Sequence, residues 1–275
     1  MLHFKVDEDK CTKCGLCAQD CPINIIDMDS GYPGIFAGNE GACLKCQHCL
    51  AICPTAALSI LGREPEDNVP LKGAFPDPDC LEILIKGRRS VRWYLDENLE
   101  PEILQRLLNV AWHAPSGAND RQVRFSVIDD KRVFAAFREE VYGGLAKRIK
   151  VGKLPEGKVF FAEFVRLWQE EGVDALFLDA PHFLVASSPR ACTAPVPDCL
   201  IALSYFELFA QSLGVGTLWA GLAKWAIDDL VPELRERLKI PQDHVIGFAM
   251  IFGKPAVQYQ RTVEYGTASF VRVSI

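Results

Sequence analysis

The chain has 275 residues, a formal net charge of −6 and a sequence pI of about 5.5. Hydrophobic residues make up 49% and charged residues 24%, which is typical of a globular protein and excludes a wholly disordered chain. The acidic balance argues against nucleic acid as a partner. The opening MLHFKVDEDK is acidic where a signal peptide is basic and then apolar, and the most apolar window, 199–223, is interrupted by Glu207 and Gln211. We therefore expect a cytoplasmic protein without a membrane span.

Composition divides the chain into three parts. Residues 1–62 hold eight of the eleven cysteines and carry four lysines against seven acidic residues. Residues 63–79 contain four prolines and no apolar period, which predicts an extended linker. Residues 80–275 mix helical and strand patterns, which predicts an α+β domain in which helices cover a sheet.

Two cysteine runs dominate the first domain and form an internal repeat. Each has the form C-x2-C-x2-C-x3-C-P, beginning at Cys11 and at Cys43. Three closely spaced thiolates suit one cluster, and the fourth cysteine leads away to the other cluster. The pattern therefore predicts two [4Fe–4S] centres, one held by Cys11, Cys14, Cys17 and Cys53 and the other by Cys43, Cys46, Cys49 and Cys21. The region 3–62 resembles bacterial two-cluster ferredoxins.

Structural zinc is the alternative for these cysteines, because zinc also binds cysteines in fours. Zinc sites usually pair two C-x2-C units and need neither a third cysteine two residues on nor a following Cys-Pro, so the spacing favours clusters. Cys80, Cys192 and Cys199 lie outside the pattern, and we expect them to be buried small apolar side chains.

The second domain alternates predicted helices and strands. In chain order, the patterns predict a helix at 101–114, a strand at 123–129, a helix followed by a mobile excursion at 132–158, a strand at 182–187, helices at 199–213 and 227–240, and a strand at 244–253. The helix at 199–213 is apolar nearly all round, as expected for a helix buried between layers or subunits. The helix at 227–240 has the pattern of an amphipathic surface helix.

Four short segments carry polar or glycine-rich groups suited to an anionic, planar ligand. They are GRRSVR at 87–92, APSGAN at 114–119, LGVGTLWAG at 213–221 and the single base Arg261. Arginine forks suit phosphate and carbonyl oxygens, and glycines let the backbone approach a flat ring. Taken singly, each segment has an ordinary alternative as a solvated face, a loop, a sheet bend or plain surface.

In this order and spacing, the segments resemble the nitroreductase family of FMN-dependent oxidoreductases, over about residues 80–265. The resemblance implies cofactor-binding roles for particular residues. The FMN phosphate would be bound by Arg88 and Ser90 with help from Arg261, the flavin N1/O2 edge by Arg92, and the flavin of the neighbouring subunit of a homodimer by Pro115, Ser116 and Asn119. Arg89, in the same run, is also expected to bind the cofactor. Gly221 and the backbone N–H of Leu222 would approach flavin N5.

The sequence departs from the family at two positions. Arg121 stands where the family usually has glutamine, and Tyr259 stands where a second phosphate-binding base is usual. We assign no catalytic side chain, because the flavin carries the chemistry. His113, beside the flavin loop, is expected to be a capping or packing residue.

Together these features predict that the clusters take electrons from a one-electron donor protein or NAD(P)H and pass them to FMN. The flavin would then reduce a small organic acceptor such as a nitroaromatic, a quinone or an activated alkene. One alternative is a non-catalytic redox relay or sensor. Another is a different flavin reaction, such as reductive dehalogenation, for which residues 143–172 would supply contacts to the substrate.

Overall fold

The computed structural model describes residues 2–275, and Met1, at the start of the first predicted domain, lies outside them. The chain forms two compact units. One consists of the chain up to Pro76 together with Ala118–Asp120, and the other of Asp77–Gly117 and Arg121–Ile275. Across residues 2–275, no helix combines the length and the apolar character that crossing a membrane requires.

The first unit is built from two similar halves. Each cysteine of the second run follows its counterpart in the first run by 32 residues, and the helix at 16–19 and the strand at 26–27 recur at the same offset, at 48–51 and 58–59. The elements are β1 (Lys5–Val6), α1 (Leu16–Gln19), β2 (Ile26–Asp27), β3 (Gly34–Ile35), α2 (His48–Ala51) and β4 (Leu58–Ser59). Strand β1 pairs with β4, and β2 pairs with β3, both antiparallel. The repeat in sequence is therefore also a repeat in structure.

The hydrophobic core of this unit is small. Its buried members include two of the cysteines and a few aliphatic side chains: Leu2, Cys17, Ile25, Ile26, Cys49, Leu50, Leu58 and Ile60. A core of this size contributes little folding free energy, and domains of this length usually need a covalent or metal staple.

A four-stranded antiparallel sheet organises the second unit. Its strands are β5 (Arg124–Ile128), β6 (His182–Pro189), β7 (Gly216–Trp219) and β8 (His244–Gly253), in the spatial order β5-β6-β8-β7. The helices are α3 (Pro78–Gly87), α4 (Pro101–Trp112), α5 (Lys131–Lys150), α6 (Phe161–Arg166), α7 (Pro195–Ser212), α8 (Gly221–Trp225) and α9 (Leu234–Arg237).

The alternation of side chains along β6 shows how the sheet separates two cores. Phe183 and Val185 point into a core that includes residues of α5, α6 and α8, whereas Leu184 and Ala186 point into a core that includes residues of α4 and α7. Because successive side chains of a strand point to opposite faces, a strand buried on both faces reads as a continuous apolar run. This arrangement confirms the predicted α+β fold.

Most of the predicted elements of this unit are confirmed, but the prediction of a surface helix at 227–240 is wrong. The structure has π-helical residues Ala226–Leu230, a break at Val231 and then the short α9. Pro232 cannot donate a backbone hydrogen bond, so a helix cannot continue through it. The segment is also not superficial, because Ile227 and Leu230 are buried.

The segment 132–158 contains the predicted helix, which begins at Lys131 and ends at Lys150 as α5. Beyond it, α6 and a π-helical stretch at Leu167–Glu171 pack back onto the unit, with Phe161 buried. The Trp168 ring stacks on Tyr142 with 4.5 Å between ring centroids. The mobility expected of this region stays a prediction.

Two of the three cysteines outside the runs differ from the expectation that they are buried. Cys199 is fully buried, but Cys192 is only half-buried and Cys80 is exposed on α3. Cys80 lies on a helix that buries none of its residues, so an apolar pattern around it does not imply a core position.

Candidate cofactor sites

Each predicted set of four cysteines lines its own cavity in the first unit. One cavity, of about 350 Å³ including open solvent, is lined by Cys11, Cys14, Cys17 and Cys53 among other residues. The second, of about 370 Å³ on the same measure, is lined by Cys21, Cys43, Cys46 and Cys49. The structure thus brings together the four members of each set, three from one half of the repeat and one from the other.

The backbone around these cysteines is shaped to direct N–H groups at sulfur. Lys13 and Gly15 have φ values of 57° and 73°, and Lys45 and Gln47, at the corresponding places in the second half, have 55° and 62°. Left-handed residues of this kind turn successive N–H groups toward one side of a loop. In the second half, Lys45 N donates to Cys43 Sγ at 3.4 Å. The loops therefore present hydrogen-bond donors to the sulfur atoms that line the cavities.

The cysteine environments differ in their electrostatics. Burial raises the pKa of Cys49 to about 12 and also raises the pKa of Cys17. At the exposed Cys14, a hydrogen bond from the Leu16 N–H lowers the thiol pKa. A buried thiol stays protonated at neutral pH unless a bound cation displaces its proton, so metal binding at Cys49 is coupled to proton release.

In the second unit, the arginine-rich segment 87–92 lies beside β7. Ser90 forms a parallel bridge with Thr217, and Val91 N donates to Thr217 O at 2.9 Å. A Cβ on Gly216 would lie 2.7 Å from Val91 Cγ2, so only glycine permits this close approach. The pairing places Ser90 and its neighbouring arginines next to the strand that leads into Gly221 and Leu222.

The three arginines of this segment have different surroundings. Arg88 Nη1 donates to Glu207 Oε1 at 3.0 Å and forms an ion pair with it. Arg89 donates to Lys86 O, and its Nε is buried without a partner among the described residues. Arg92 is exposed, and its Nη1 donates to Ser90 O at 3.3 Å. Each guanidinium keeps N–H donors beyond these contacts.

The loop that follows α4 is held by a buried carboxylate. Gly117 N donates to Asp198 Oδ1 at 3.0 Å, and Asp198 is buried in the first turns of α7. Arg121 N donates to Ser116 Oγ at 2.9 Å, which closes the loop. Pro115 is exposed, and Ser116 is half-buried. In the first unit, the Asn119 side-chain amide donates to Leu44 O at 2.8 Å.

The junction between β7 and α8 offers free backbone donors. Ala220 N donates to Ala249 O at 2.9 Å, which anchors the junction on β8. The N–H groups of the first helical turn have no partner within the helix, and Gly221 and Leu222 occupy the first two positions of α8. A Cβ on Gly221 would make only an ordinary 3.5 Å contact with Phe248, and the φ of Gly221 is not positive. The packing of this chain therefore does not require glycine at position 221.

The two departures from the family pattern have their own contacts. The Arg121 guanidinium lies over the Trp112 ring, 5.1 Å from its centroid, and donates to Trp112 O, so it is held on the end of α4. Tyr259 OH donates to Ser90 O at 3.4 Å. Arg261 and His113 are both exposed, and His113 is the residue at which α4 ends.

Sequence reasoning missed two acidic residues, Asp198 and Glu207. Both lie on the otherwise apolar α7 and are buried. The available signal was a lone acid in an apolar helix, since a carboxylate is almost never buried without a partner. The partner itself lies far away in sequence and could not be identified from the pattern.

Comparisons with known proteins match two families to separate parts of the chain. Residues 85–254 match the model of the nitroreductase family, and residues 10–58 match the model of a 4Fe–4S dicluster domain. Ferredoxin-3 of Chlorobaculum tepidum is 32% identical over 63 residues, which cover 21% of this chain and 95% of that protein.

Two further relatives each match about 70% of the chain. A protein of Methanothermobacter thermautotrophicus, named as a candidate NADH dehydrogenase/NAD(P)H nitroreductase, is 29% identical over 191 residues, which cover 69% of this chain and 84% of that protein. The crystal structure of a nitroreductase with bound FMN from Bacteroides fragilis matches with a TM-score of 0.56 at 24% identity, covering 70% of this chain and 98% of that chain. The family and the fold class predicted from the sequence are both confirmed.

Proposed function

Because this chain belongs to the nitroreductase family and contains a 4Fe–4S dicluster domain, we propose that it is an FMN-dependent oxidoreductase in which two [4Fe–4S] clusters pass electrons to FMN. The electrons would then be passed from FMN to a small organic acceptor. The observation that carries this proposal is that one chain contains both two cavities lined by four cysteines each and the polar segments typical of a flavin site.

The geometry of the first unit suits clusters better than single metal ions. Across the described residues, no three cysteine, histidine or acidic side chains converge on one ion position. The four cysteines of each set instead line one cavity, where they would hold a [4Fe–4S] cluster that supplies one-electron chemistry. The N–H groups that point at sulfur stabilise the negative charge of bound clusters.

The second unit carries groups suited to both ends of FMN. Arg88, Ser90 and Arg261 offer guanidinium and hydroxyl donors for the phosphate, with Arg89 in the same run, and bidentate arginine contacts are strong for such anions. At the other end, the missing side chain of Gly221 leaves room that nothing in the chain fills. The free N–H groups at 221 and 222 are donors for a ring nitrogen.

The residues of this chain bind, orient and tune rather than react. When bound, FMN accepts electrons singly and releases them as a hydride, which links one-electron clusters to a two-electron acceptor. Arg92 would place positive charge at the N1/O2 edge, where it would favour the reduced cofactor. The backbone N–H groups at the start of α8 would hold the ring at N5.

We further propose a homodimer in which each flavin site is completed by the partner subunit. Three exposed residues of α7, Val196, Ile201 and Tyr205, are apolar or aromatic and suited to a subunit interface. In this arrangement Pro115, Ser116 and Asn119 serve the flavin of the other subunit.

The proposed donor is a one-electron donor protein, with NAD(P)H as the alternative, and the proposed acceptors are nitroaromatics, quinones or activated alkenes. The two donors make different demands on the chain. A hydride donor would react with the flavin directly, whereas in this proposal a one-electron protein donor delivers its electrons to the clusters. The role of the clusters is therefore tested by comparing the two donors.

The test uses Cys14→Ser in the full chain, with Cys80→Ser as the matched control, since Cys80 is an exposed cysteine outside both sets. Turnover of a nitroaromatic or quinone is measured with reduced ferredoxin and, separately, with dithionite. We expect Cys14→Ser to keep its FMN and its dithionite-driven turnover and to lose turnover driven by ferredoxin. Cys80→Ser should match the wild type in every measurement.

Full ferredoxin-driven turnover by Cys14→Ser would contradict electron entry through the clusters. If instead the reduced wild-type protein turns over no small acceptor, the chain is a redox relay or sensor rather than an enzyme. FMN content measured on each sample shows whether a loss of turnover is due to loss of the flavin.

A further inference from the structure

Glu207 is a charged residue in a place that disfavours charge. It lies in α7, where Asp198 is the only other charged residue among the eighteen from Pro195 to Ser212. Its exposed fraction is 7%. Burying a carboxylate is costly unless charged or hydrogen-bonding partners compensate it. The residue therefore depends on the groups that surround its carboxylate.

Two side chains from different elements meet the same oxygen of Glu207. Arg88 Nη1 lies 3.0 Å from Oε1, and Thr217 Oγ1 donates to that atom at 3.3 Å. Thr217 is buried on β7, and its main chain pairs with residues 90 and 91. Glu207 thus accepts hydrogen bonds from both Arg88 and β7, and it fixes the position of the Arg88 guanidinium relative to that strand.

The fixed guanidinium still has unused donors on a partly open surface. Arg88 has an exposed side-chain fraction of 27%, and within the described part of the chain its one side-chain hydrogen bond is the one to Glu207. A guanidinium carries five N–H donors in a rigid plane. Holding one edge of that plane sets the direction of the remaining donors and reduces the freedom that a ligand would otherwise have to restrict.

We propose that Glu207 is a positioning residue for the FMN phosphate, acting through Arg88. This inference rests on the proposed function, in which Arg88 binds that phosphate. A purely electrostatic argument predicts the opposite effect. A carboxylate beside Arg88 reduces the positive potential at the guanidinium and should weaken phosphate binding. Positioning and charge neutralisation therefore predict opposite effects when Glu207 is replaced.

The experiment compares the affinity of the full-length protein for FMN and for riboflavin, which has the same ring without the phosphate. The ratio of the two dissociation constants isolates the phosphate contribution, and riboflavin affinity reports whether the ring site is still folded. The variants are Glu207→Gln, which keeps the size and one acceptor oxygen, Glu207→Leu, which removes both, and Thr217→Val, which removes the second bond without changing any charge.

We expect the preference for FMN over riboflavin to fall about tenfold in Glu207→Leu and about threefold in Glu207→Gln and Thr217→Val, while riboflavin affinity stays within about threefold of wild type. Because Glu207 acts through Arg88, adding Glu207→Gln to Arg88→Met should change the preference no further. If Glu207→Leu does not fold, the other two variants decide the outcome.

Other results would overturn the inference. An unchanged or increased preference for FMN in Glu207→Gln and Thr217→Val excludes positioning, as does an equal loss of affinity for both ligands. A further fall of the preference in the Arg88→Met background means that Glu207 does not act through Arg88. If wild-type protein and Arg88→Met do not differ in their preference for FMN, the assignment of Arg88 to the phosphate fails, and this inference fails with it.

Discussion

Arg92 is the residue whose charge most directly bears on the proposed flavin chemistry. It is exposed, and its side chain reaches back to Ser90 O. If the guanidinium faces N1/O2, Arg92→Ala destabilises the reduced anionic cofactor more than the oxidised one. Loss of such a contact at an exposed position costs up to about 1.5 kcal/mol, which lowers the midpoint potential by about 30 mV for a two-electron couple.

Anaerobic redox titration of the flavin absorbance measures this potential. Arg132→Ala is the matched control, since Arg132 is an exposed arginine in the first turn of α5, outside the four polar segments. An unchanged potential together with lost FMN would place Arg92 at the phosphate instead.

Protonation of the buried His182 is expected to destabilise the second unit at low pH. It is 1% exposed, its Nε2 accepts a hydrogen bond from Leu99 N at 2.9 Å, and burial lowers its pKa to about 4. The unfolded chain binds a proton at this residue below about pH 6.5, whereas the folded chain resists doing so down to about pH 4. The contribution of His182 to the free energy of unfolding is therefore fully present above pH 6.5. It is lost as the pH falls toward 4, which lowers the free energy of unfolding by up to about 3 kcal/mol.

Unfolding in urea between pH 5 and 7 tests this dependence. All five tryptophans lie within residues 80–275, so their fluorescence reports the second unit. His182→Gln, which keeps an acceptor but does not titrate, should show a smaller decrease in unfolding free energy at low pH than the wild type. His113→Gln, at the exposed end of α4, should behave as the wild type does. Equal slopes for all three proteins would refute the role of His182.

At this scale, the sequence predicted groups whose partners are near in the chain and missed those whose partners are distant. The cysteine sets follow from spacings of two and three residues within each run. The ion pair between Arg88 and Glu207 joins residues 119 positions apart, and the bond from Gly117 to Asp198 spans 81 positions. A sequence pattern shows that a buried acid needs a partner, but only the fold determines which partner it meets.

At the scale of elements, the contact between α5 and the residues after α8 depends on one glycine. A Cβ on Gly144 would lie 2.5 Å from Val231 Cγ1, whereas a Cβ on its neighbour Gly143 would meet nothing within 4 Å. Alanine favours a helix over glycine by about 1 kcal/mol, and overpacking costs about 1–3 kcal/mol. We expect Gly143→Ala to stabilise the unit by about 1 kcal/mol and Gly144→Ala to destabilise it by about 1 kcal/mol.

Urea unfolding followed by tryptophan fluorescence compares these two neighbouring variants. Val231→Ala removes the methyl groups that would clash with a side chain at position 144. Gly144→Ala should therefore lower the free energy of unfolding less in the Val231→Ala background than in the wild-type background. Stabilisation by both alanines would show that α5 does not approach Val231 as closely as the structure indicates.

Elements were predictable where one pattern decided them. Strand β8 was predicted at its observed bounds, 244–253, because an unbroken apolar run between turns fits a strand buried on both faces. The segment 227–240 misled because its apolar spacing is helical, while Pro232 interrupts the hydrogen bonding that a helix needs. The apolar spacing indicates which side chains of this segment are buried, whereas Pro232 determines where the helix is interrupted.

At the scale of the whole molecule, the cofactor content follows from the two cysteine sets. Two [4Fe–4S] clusters predict about eight irons and eight acid-labile sulfides per chain in protein prepared without oxygen. Cys53→Ser should halve the iron and sulfide contents or reduce them further. Cys53 lines the cavity of the first set, whereas the cysteines that precede it in sequence line the cavity of the second set, so the substitution affects one cluster directly and the connection between the two halves as well. Stoichiometric zinc without sulfide would contradict the cluster assignment.

The assembly is tested by combining two defective subunits. One carries Arg88→Met with Glu207→Gln, which removes the proposed phosphate contact without leaving a buried carboxylate unpaired. The other carries Pro115→Trp, a large side chain at an exposed position of the loop assigned to the partner's flavin. Each variant alone should bind little FMN. In mixed dimers, one site has both changes and the other has neither, so we expect about one FMN per mixed dimer.

This outcome depends on the site being shared between subunits. If all of its residues came from one chain, each subunit of a mixed dimer would keep its own defect, and mixing would restore no FMN. Purification through two different affinity tags isolates the mixed dimers, and sedimentation confirms their mass. A wild-type chain that sediments as a monomer with full FMN occupancy would exclude the shared site, because Pro115 and Ser116 would then have no partner's flavin to contact.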